Sequence, residues 1–185
     1  MIDDTLLNAE EHMEKSVASL RSDLLSIRTG RASPALVENI PVSAYGGILP
    51  LNQAATIAAP EPRLLTIRPW DASIIGAIEK AILKSDLGLT PHNDGKIIRL
   101  GIPPLTDERR RDLARVVSRR AEEARVAVRN VRRDALKELG DLQKAGDISE
   151  DEFFRAKDDL QKLTDQYIQN VDRVGEAKQA EIMEV

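Results

Sequence analysis

The chain has 185 residues, 42% of them hydrophobic and 31% charged, enough for one ordinary core or two small ones and too few for a large multidomain enzyme. Without a single cysteine, disulfides, thiolate metal sites and cysteine nucleophiles are excluded. The net charge of -4 argues on average against a polyanionic partner, although ten basic and only six acidic residues fall between 107 and 135.

From the first residue, Leu6, Met13, Leu20 and Ile27 recur every seven positions with Val17 and Leu24 interleaved. This spacing predicts a helix over 3–29 whose stripe needs partner helices to cover it. The start is acidic, no apolar run approaches a membrane span and the end carries no lipidation motif, so no membrane association and a cytoplasmic location are expected.

All nine prolines lie between Pro34 and Pro104, and seven of the ten glycines between Gly30 and Gly101. In a helix interior proline costs about 3 kcal/mol and glycine about 1, so long helices belong outside that segment. Boundaries are placed at Gly30 and at Pro103-Pro104, giving a helical part of residues 1–30 and 105–185 and an inserted small α/β part of residues 31–104. Within the insertion Val42–Tyr45, Ala54–Ala58, Leu64–Arg68 and Lys96–Ile102 read as strands, punctuated by Gly46-Gly47, Pro60-Glu61-Pro62 and Asn93-Asp94-Gly95. A helix starts at Asp71 or Ser73 and runs through Lys84.

After the prolines, Thr106 is placed to N-cap a helix with Asp107 and Glu108 in its first turn. Its core face reads Leu113, Val117, Ala121, Ala124, Val128, Val131, Ala135, Leu139 and Leu142, and it runs past Gly140 to a stop at Gly146. Ser149 and Glu152 form a capping box, with Ile148 and Phe153 set as a hydrophobic staple. The last helix is predicted to bury Phe153, Leu160, Tyr167 and Val174, with Ala156, Leu163 and Val171 beside them. The fold class is α+β: a long antiparallel three-helix bundle carrying an inserted small domain.

Catalysis finds no footing in these residues. Neither GxGxxG nor GxxxxGK[ST] occurs, so no nucleotide cofactor is expected, and the two histidines, His12 and His92, read as solvated surface groups. Acidic runs such as Asp158-Asp159 and Glu150-Asp151-Glu152 are ordinary helix surface. No metal site is predicted.

The ten basic residues of the island are all arginine, whose planar fork matches phosphate oxygens. Arg110, Arg111, Arg119, Arg120 and Arg125 each have an acid within a helical turn that can take up the charge, whereas Arg129, Arg132 and Arg133 have none three or four residues away. At about 100° per residue, with the apolar stripe centred near 40°, the three fall at about 160°, 100° and 200°, turned from the core. Such a trio suits the sugar-phosphate backbone of a structured RNA, or an acidic patch on a protein.

Four stretches, Ile27-Arg28-Thr29-Gly30-Arg31-Ala32-Ser33-Pro34, Asp86-Leu87-Gly88-Leu89, Pro103-Pro104-Leu105-Thr106 and the run from Ala127 to Ala135, closely resemble the bacterial ribosome recycling factors in order and spacing. The resemblance implies an L-shaped, two-domain molecule with a three-helix bundle and a small β/α/β domain. It implies a non-enzymatic factor that binds the post-termination ribosome and, with elongation factor G and GTP, separates the subunits; a monomer is expected. It places Arg132, flanked by Arg129 and Arg133, on large-subunit ribosomal RNA, and Gly30 with Arg31 and Pro103 with Pro104 at a hinge. The alternative from the helical pattern alone is a scaffold that pairs with an acidic protein and ignores RNA.

Overall fold

A computed structural model describes residues 1–184. The chain divides into two compact units, Met1–Arg28 with the chain from Thr106 onward, and Thr29–Leu105. Among the described residues no helix is long and apolar enough to cross a membrane.

The first unit is a bundle of α1 (Ile2–Leu25), α3 (Asp107–Ala145) and α4 (Glu150–Met183). Contacts between α3 and α4 descend in opposite senses: Ser118 meets Gln179, Arg125 meets Asp172 and Arg132 meets Gln161. The two are therefore antiparallel. Near the start of α1, the Thr5 hydroxyl donates to Glu138 at the far end of α3 (2.7 Å), so α1 runs against α3 and alongside α4. Met13, Val17, Leu139 and Val171 are fully buried on the shared axis.

The helix ends follow from the sequence. The Thr106 hydroxyl accepts from the Arg109 N–H at 3.1 Å, and Gly146 stops α3 in the left-handed region at φ 81°. Ser149 and Glu152 cap α4 reciprocally, Ser149 Oγ accepting from the Glu152 N–H at 3.2 Å and Glu152 Oε2 accepting from the Ser149 N–H at 2.8 Å. These bonds from Ser149 hold the Glu152 carboxyl below the usual range. Ser149→Ala is expected to destabilise the bundle by about 1 kcal/mol, read as a lower urea midpoint at unchanged slope.

Three expectations for the bundle change. α1 stops at Leu25, four residues short, where the Ser26 hydroxyl bonds back to the Asp23 carbonyl (2.7 Å) and competes with the next turn. Thr5 and Ala9 take the buried seam ahead of Leu6, because a straight helix of about 3.6 residues per turn drifts off a strict heptad. On α4, Thr164 and Gly175 are buried, while Phe153, Leu163 and Val174 are half-buried, as are Val131 and Leu142 on α3. A Cβ built on Gly175 would lie 3.4 Å from the Ala121 Cβ, at the near edge of ordinary contact, which shows how closely α3 and α4 pack there. Gly140 leaves α3 unbroken, with the Phe153 ring over it.

The second unit holds a hairpin of β1 (Pro41–Ala44) and β2 (Gly47–Pro50), a four-stranded antiparallel sheet and one helix, α2 (Ile75–Lys84). The sheet comprises β3 (Ala55–Glu61), β4 (Leu64–Pro69), β5 (Pro91–Asn93) and β6 (Ile98–Gly101) in the order β3-β4-β6-β5. Leu65, Ile67, Ile98 and Leu100 turn inward and pack with Ile78 and Ile82 of α2 in a core separate from that of the bundle. Asp71 caps a single helical turn at Ala72–Ile74 that leads into α2.

Strands β2 and β5 were not expected from the sequence. Each is short, holds a proline and shows no apolar alternation, and each forms only because a neighbouring strand supplies its hydrogen bonds. Tyr45, read as strand, instead enters the hairpin turn with φ 53° ahead of Gly46.

Asp94 organises the turn between β5 and β6. Its carboxylate accepts from the N–H groups of Lys96 (2.9 Å) and Ile97 (2.8 Å) and from the Arg99 guanidinium (2.7 Å). These bonds, that from Ile97 foremost, hold the carboxyl far below the usual range. A depressed folded pKa contributes stability above the unfolded value of about 4, and that contribution is lost as the pH falls below it. Amide protection across β5 and β6 is therefore expected to drop in that acid window, and Asp94→Asn to show the loosened hairpin already at neutral pH.

Candidate nucleic-acid interface

The arginine island lies along α3, which Thr106, Gly146 and the packing of α1 and α4 hold as one unbroken rod. A rigid helix makes Arg129 a neighbour of both Arg132 and Arg133, three and four residues on, at about 5–6 Å between Cβ atoms.

Their electrostatics differ from one another, and the expectation that all three are unpaired is corrected for two. Arg129 Nη1 reaches Glu122 at 3.2 Å, seven residues back. Two turns return almost to the same face, a partner that a search at three and four residues misses. Glu122 is shared, taking Arg125 at 2.8 Å as well, and the bonds from Arg125 and then Arg129 hold its carboxyl below the usual range. Among the described residues Arg133 approaches only the adjacent Asp134, at 3.7 Å, with both side chains about three-quarters exposed (72% and 76%).

Arg132 is different. It is half-buried rather than turned fully outward, and its Nη1 donates to the side-chain carbonyl of Gln161 on α4 at 3.0 Å. The Gln161 amide in turn donates to Asp165 at 2.8 Å. A neutral amide thus holds the guanidinium in place and leaves its charge uncancelled. Nothing in the local sequence of α3 points to Gln161, which becomes a neighbour only through the antiparallel pairing.

The arginines expected to be paired also divide. Arg120 meets Glu123 (3.3 Å) and Arg125 meets both Glu122 and Asp172 (2.8 Å each), with the Asp172 bond the largest cause of the raised Arg125 pKa. Among the described residues Arg110, Arg111 and Arg119 form no ion pair, and the Arg110 Nε is buried without a partner. Helical spacing gives an opportunity worth only a few tenths of a kcal/mol at an exposed site, too little to fix every pair.

A groove between α1 and α3 is lined by His12, Lys15, Asp23, Arg120 and Glu123, a mixture of signs open to solvent. His12 Nδ1 bonds the Asn8 carbonyl of its own helix at 2.7 Å. Among the described residues no cluster of three His, Asp or Glu side chains could hold a metal ion.

At the chain crossings, Gly30 adopts φ 77°, and a Cβ there would lie 3.2 Å from Leu105 Cγ. The tip of the β3–β4 hairpin accepts from both crossing segments, Pro62 O from the Ala32 N–H (2.7 Å) and Arg63 O from the Ile102 N–H (2.8 Å). Pro103 and Pro104 are exposed.

Comparison with known proteins agrees with this architecture. The family model described as "Ribosome recycling factor" matches residues 20–183. The chain belongs to the ribosome recycling factor family. It is 56% identical to the ribosome-recycling factor of Carboxydothermus hydrogenoformans and 57% identical to that of Heliobacterium modesticaldum, in each case over the whole of both chains. Among solved structures, the solution structure of a ribosome recycling factor matches with a TM-score of 0.74 at 46% identity, covering 100% of this chain and 98% of that one. A second match, at TM-score 0.64 and 47% identity over the whole of both chains, comes from models of the T. thermophilus ribosome recycling factor and E. coli elongation factor G bound to the E. coli post-termination complex. Members of this family share the α+β fold described here, three long helices with a small sheet unit.

Proposed function

We propose that this chain binds the post-termination ribosome in the cytoplasm as a monomer and, with elongation factor G and GTP, separates the subunits for a new round of translation. It acts as a non-enzymatic factor, and the free energy of GTP hydrolysis is supplied on the partner. The reading is carried by family membership, and by a relative of 47% identity placed together with elongation factor G on a post-termination complex.

In this reading the bundle of residues 1–30 and 105–185 grips large-subunit ribosomal RNA. Arg132 is the principal contact, and Arg129 and Arg133 flank it. Support comes from the neutral hydrogen bond that orients Arg132 without discharging it. Gly30 with Arg31 and Pro103 with Pro104 form the hinge of the small domain, residues 31–104. The left-handed backbone at Gly30 and the φ-restricted proline pair favour rotation about a defined axis over collapse.

The test is light scattering on purified post-termination ribosomes mixed with this protein, elongation factor G and GTP. Scattering should fall as subunits separate, and omission of any one component should abolish the fall. Monosomes that persist in the complete mixture would refute the proposal.

A further inference from the structure

The four-stranded sheet of the small unit has α2 on one face only. On the other, β4 turns outward Thr66 and Arg68 and is followed directly by Trp70, which is 65% exposed although it is the largest side chain in the protein. The indole is not loose. Its Nε1–H donates to Thr56 Oγ1 on β3 at 2.9 Å, and its backbone N–H donates to the Ala54 carbonyl at 3.2 Å. A ring tethered at its polar edge keeps a π-face in solvent at little entropic cost.

The register sets charge beside it. Thr56 pairs with Arg68, Thr66 with Arg99, and Arg99 with His92, so one outward surface carries the indole, two arginines and an imidazole. Between Thr56 and the bulge after Ala58 on β3, and along β4, no outward position holds a carboxylate. Arg68 forms no ion pair among the described residues, while Arg99 is bound to Asp94 at 2.7 Å.

We infer that this open sheet face is a second RNA-binding surface, which takes an unpaired strand by stacking a base on Trp70 and placing a phosphate on Arg68, the arginine of this face that no acid neutralises among the described residues. An open antiparallel sheet with an exposed aromatic and flanking cations is the arrangement by which proteins hold splayed bases, because every base offers a π-face and each is followed by a phosphate. A duplex buries its bases in the stack and does not fit. A protein partner is less well matched, since Thr56, which holds the indole, and Arg68, which pairs with Thr56 across the strands, are polar. The surface is distinct from the arginines of α3 and goes beyond the reading given above.

Trp70 is the single tryptophan of the chain, so its emission reports directly on stacking. The full protein is titrated with an unpaired RNA of about eight nucleotides, with an abasic strand of equal length, with a duplex and with an acidic peptide. Saturable quenching by the unpaired RNA alone is expected. Arg68→Ala should weaken it and lower the salt slope by about 0.7. In anisotropy with labelled RNA, Trp70→Ala should lose about 10-fold in affinity and Trp70→Phe should recover part of it. Arg132→Ala should leave the quenching unchanged, which separates this surface from the bundle. Equal quenching by the abasic strand, no quenching by any RNA, or full RNA affinity in a folded Trp70→Ala protein would overturn the inference. Quenching by the acidic peptide instead of RNA would overturn it in favour of a protein ligand.

Discussion

Arg132→Ala is expected to weaken binding to ribosomes by about 10- to 100-fold and to flatten the dependence of log affinity on log salt by about one unit. The size follows from its surroundings. Gln161 holds the guanidinium with a carbonyl oxygen and no charge, so RNA gains a fully cationic, already oriented donor. Arg129 must first give up Glu122, at 3.2 Å, and Arg129→Ala should cost less. Glu122→Gln should then raise affinity at low salt, because it releases Arg129 and removes a negative charge beside it. Binding is measured as Kd over a salt series, with a thermal melt followed by circular dichroism to confirm that each variant folds. Wild-type affinity in folded Arg132→Ala protein would remove α3 as the RNA-binding surface.

The second large effect concerns stability. Ile67 of β4 is fully buried and Leu160 of α4 is 1% exposed, each in its own unit's core. Ile67→Ala and Leu160→Ala are each expected to cost about 2–5 kcal/mol through lost burial and the cavity left behind. With separate cores, the loss should stay local. Hydrogen exchange should accelerate within residues 29–105 for the first variant and within the helices of the bundle for the second. Uniform acceleration over the whole chain in either variant would show one cooperative unit instead.

The bundle was legible in the sequence where local chemistry decides the outcome. Thr106, Gly146 and the pair Ser149 and Glu152 sit at the helix ends where their types place them, because each satisfies backbone groups within one turn. Core faces were legible to within the drift of the helix. Leu6 yielded to Thr5 and Ala9, and Gly175 entered the core because α3 and α4 pack closely there, which no pattern on α4 alone reveals. β2 and β5 escaped notice for the same reason, since their order comes from partner strands.

The arginine trio was legible as a set, by the absence of acids one turn away, yet not in its internal ranking. That ranking depends on Glu122 two turns back and on Gln161, twenty-nine residues on in α4. The sequence shows Trp70 only as the one tryptophan among five aromatic residues. Only the cross-strand register of β3 and β4 shows what its ring rests on.

The closeness of Gly30 to Leu105, where an added Cβ would sit 3.2 Å from Cγ, has a practical side. Ends that nearly touch can be spliced: a short glycine-containing turn in place of residues 31–104 should leave a free-standing helical protein, and the excised piece is a ready candidate for backbone cyclisation. Evolution, too, could exchange one such cassette for another without rebuilding the host.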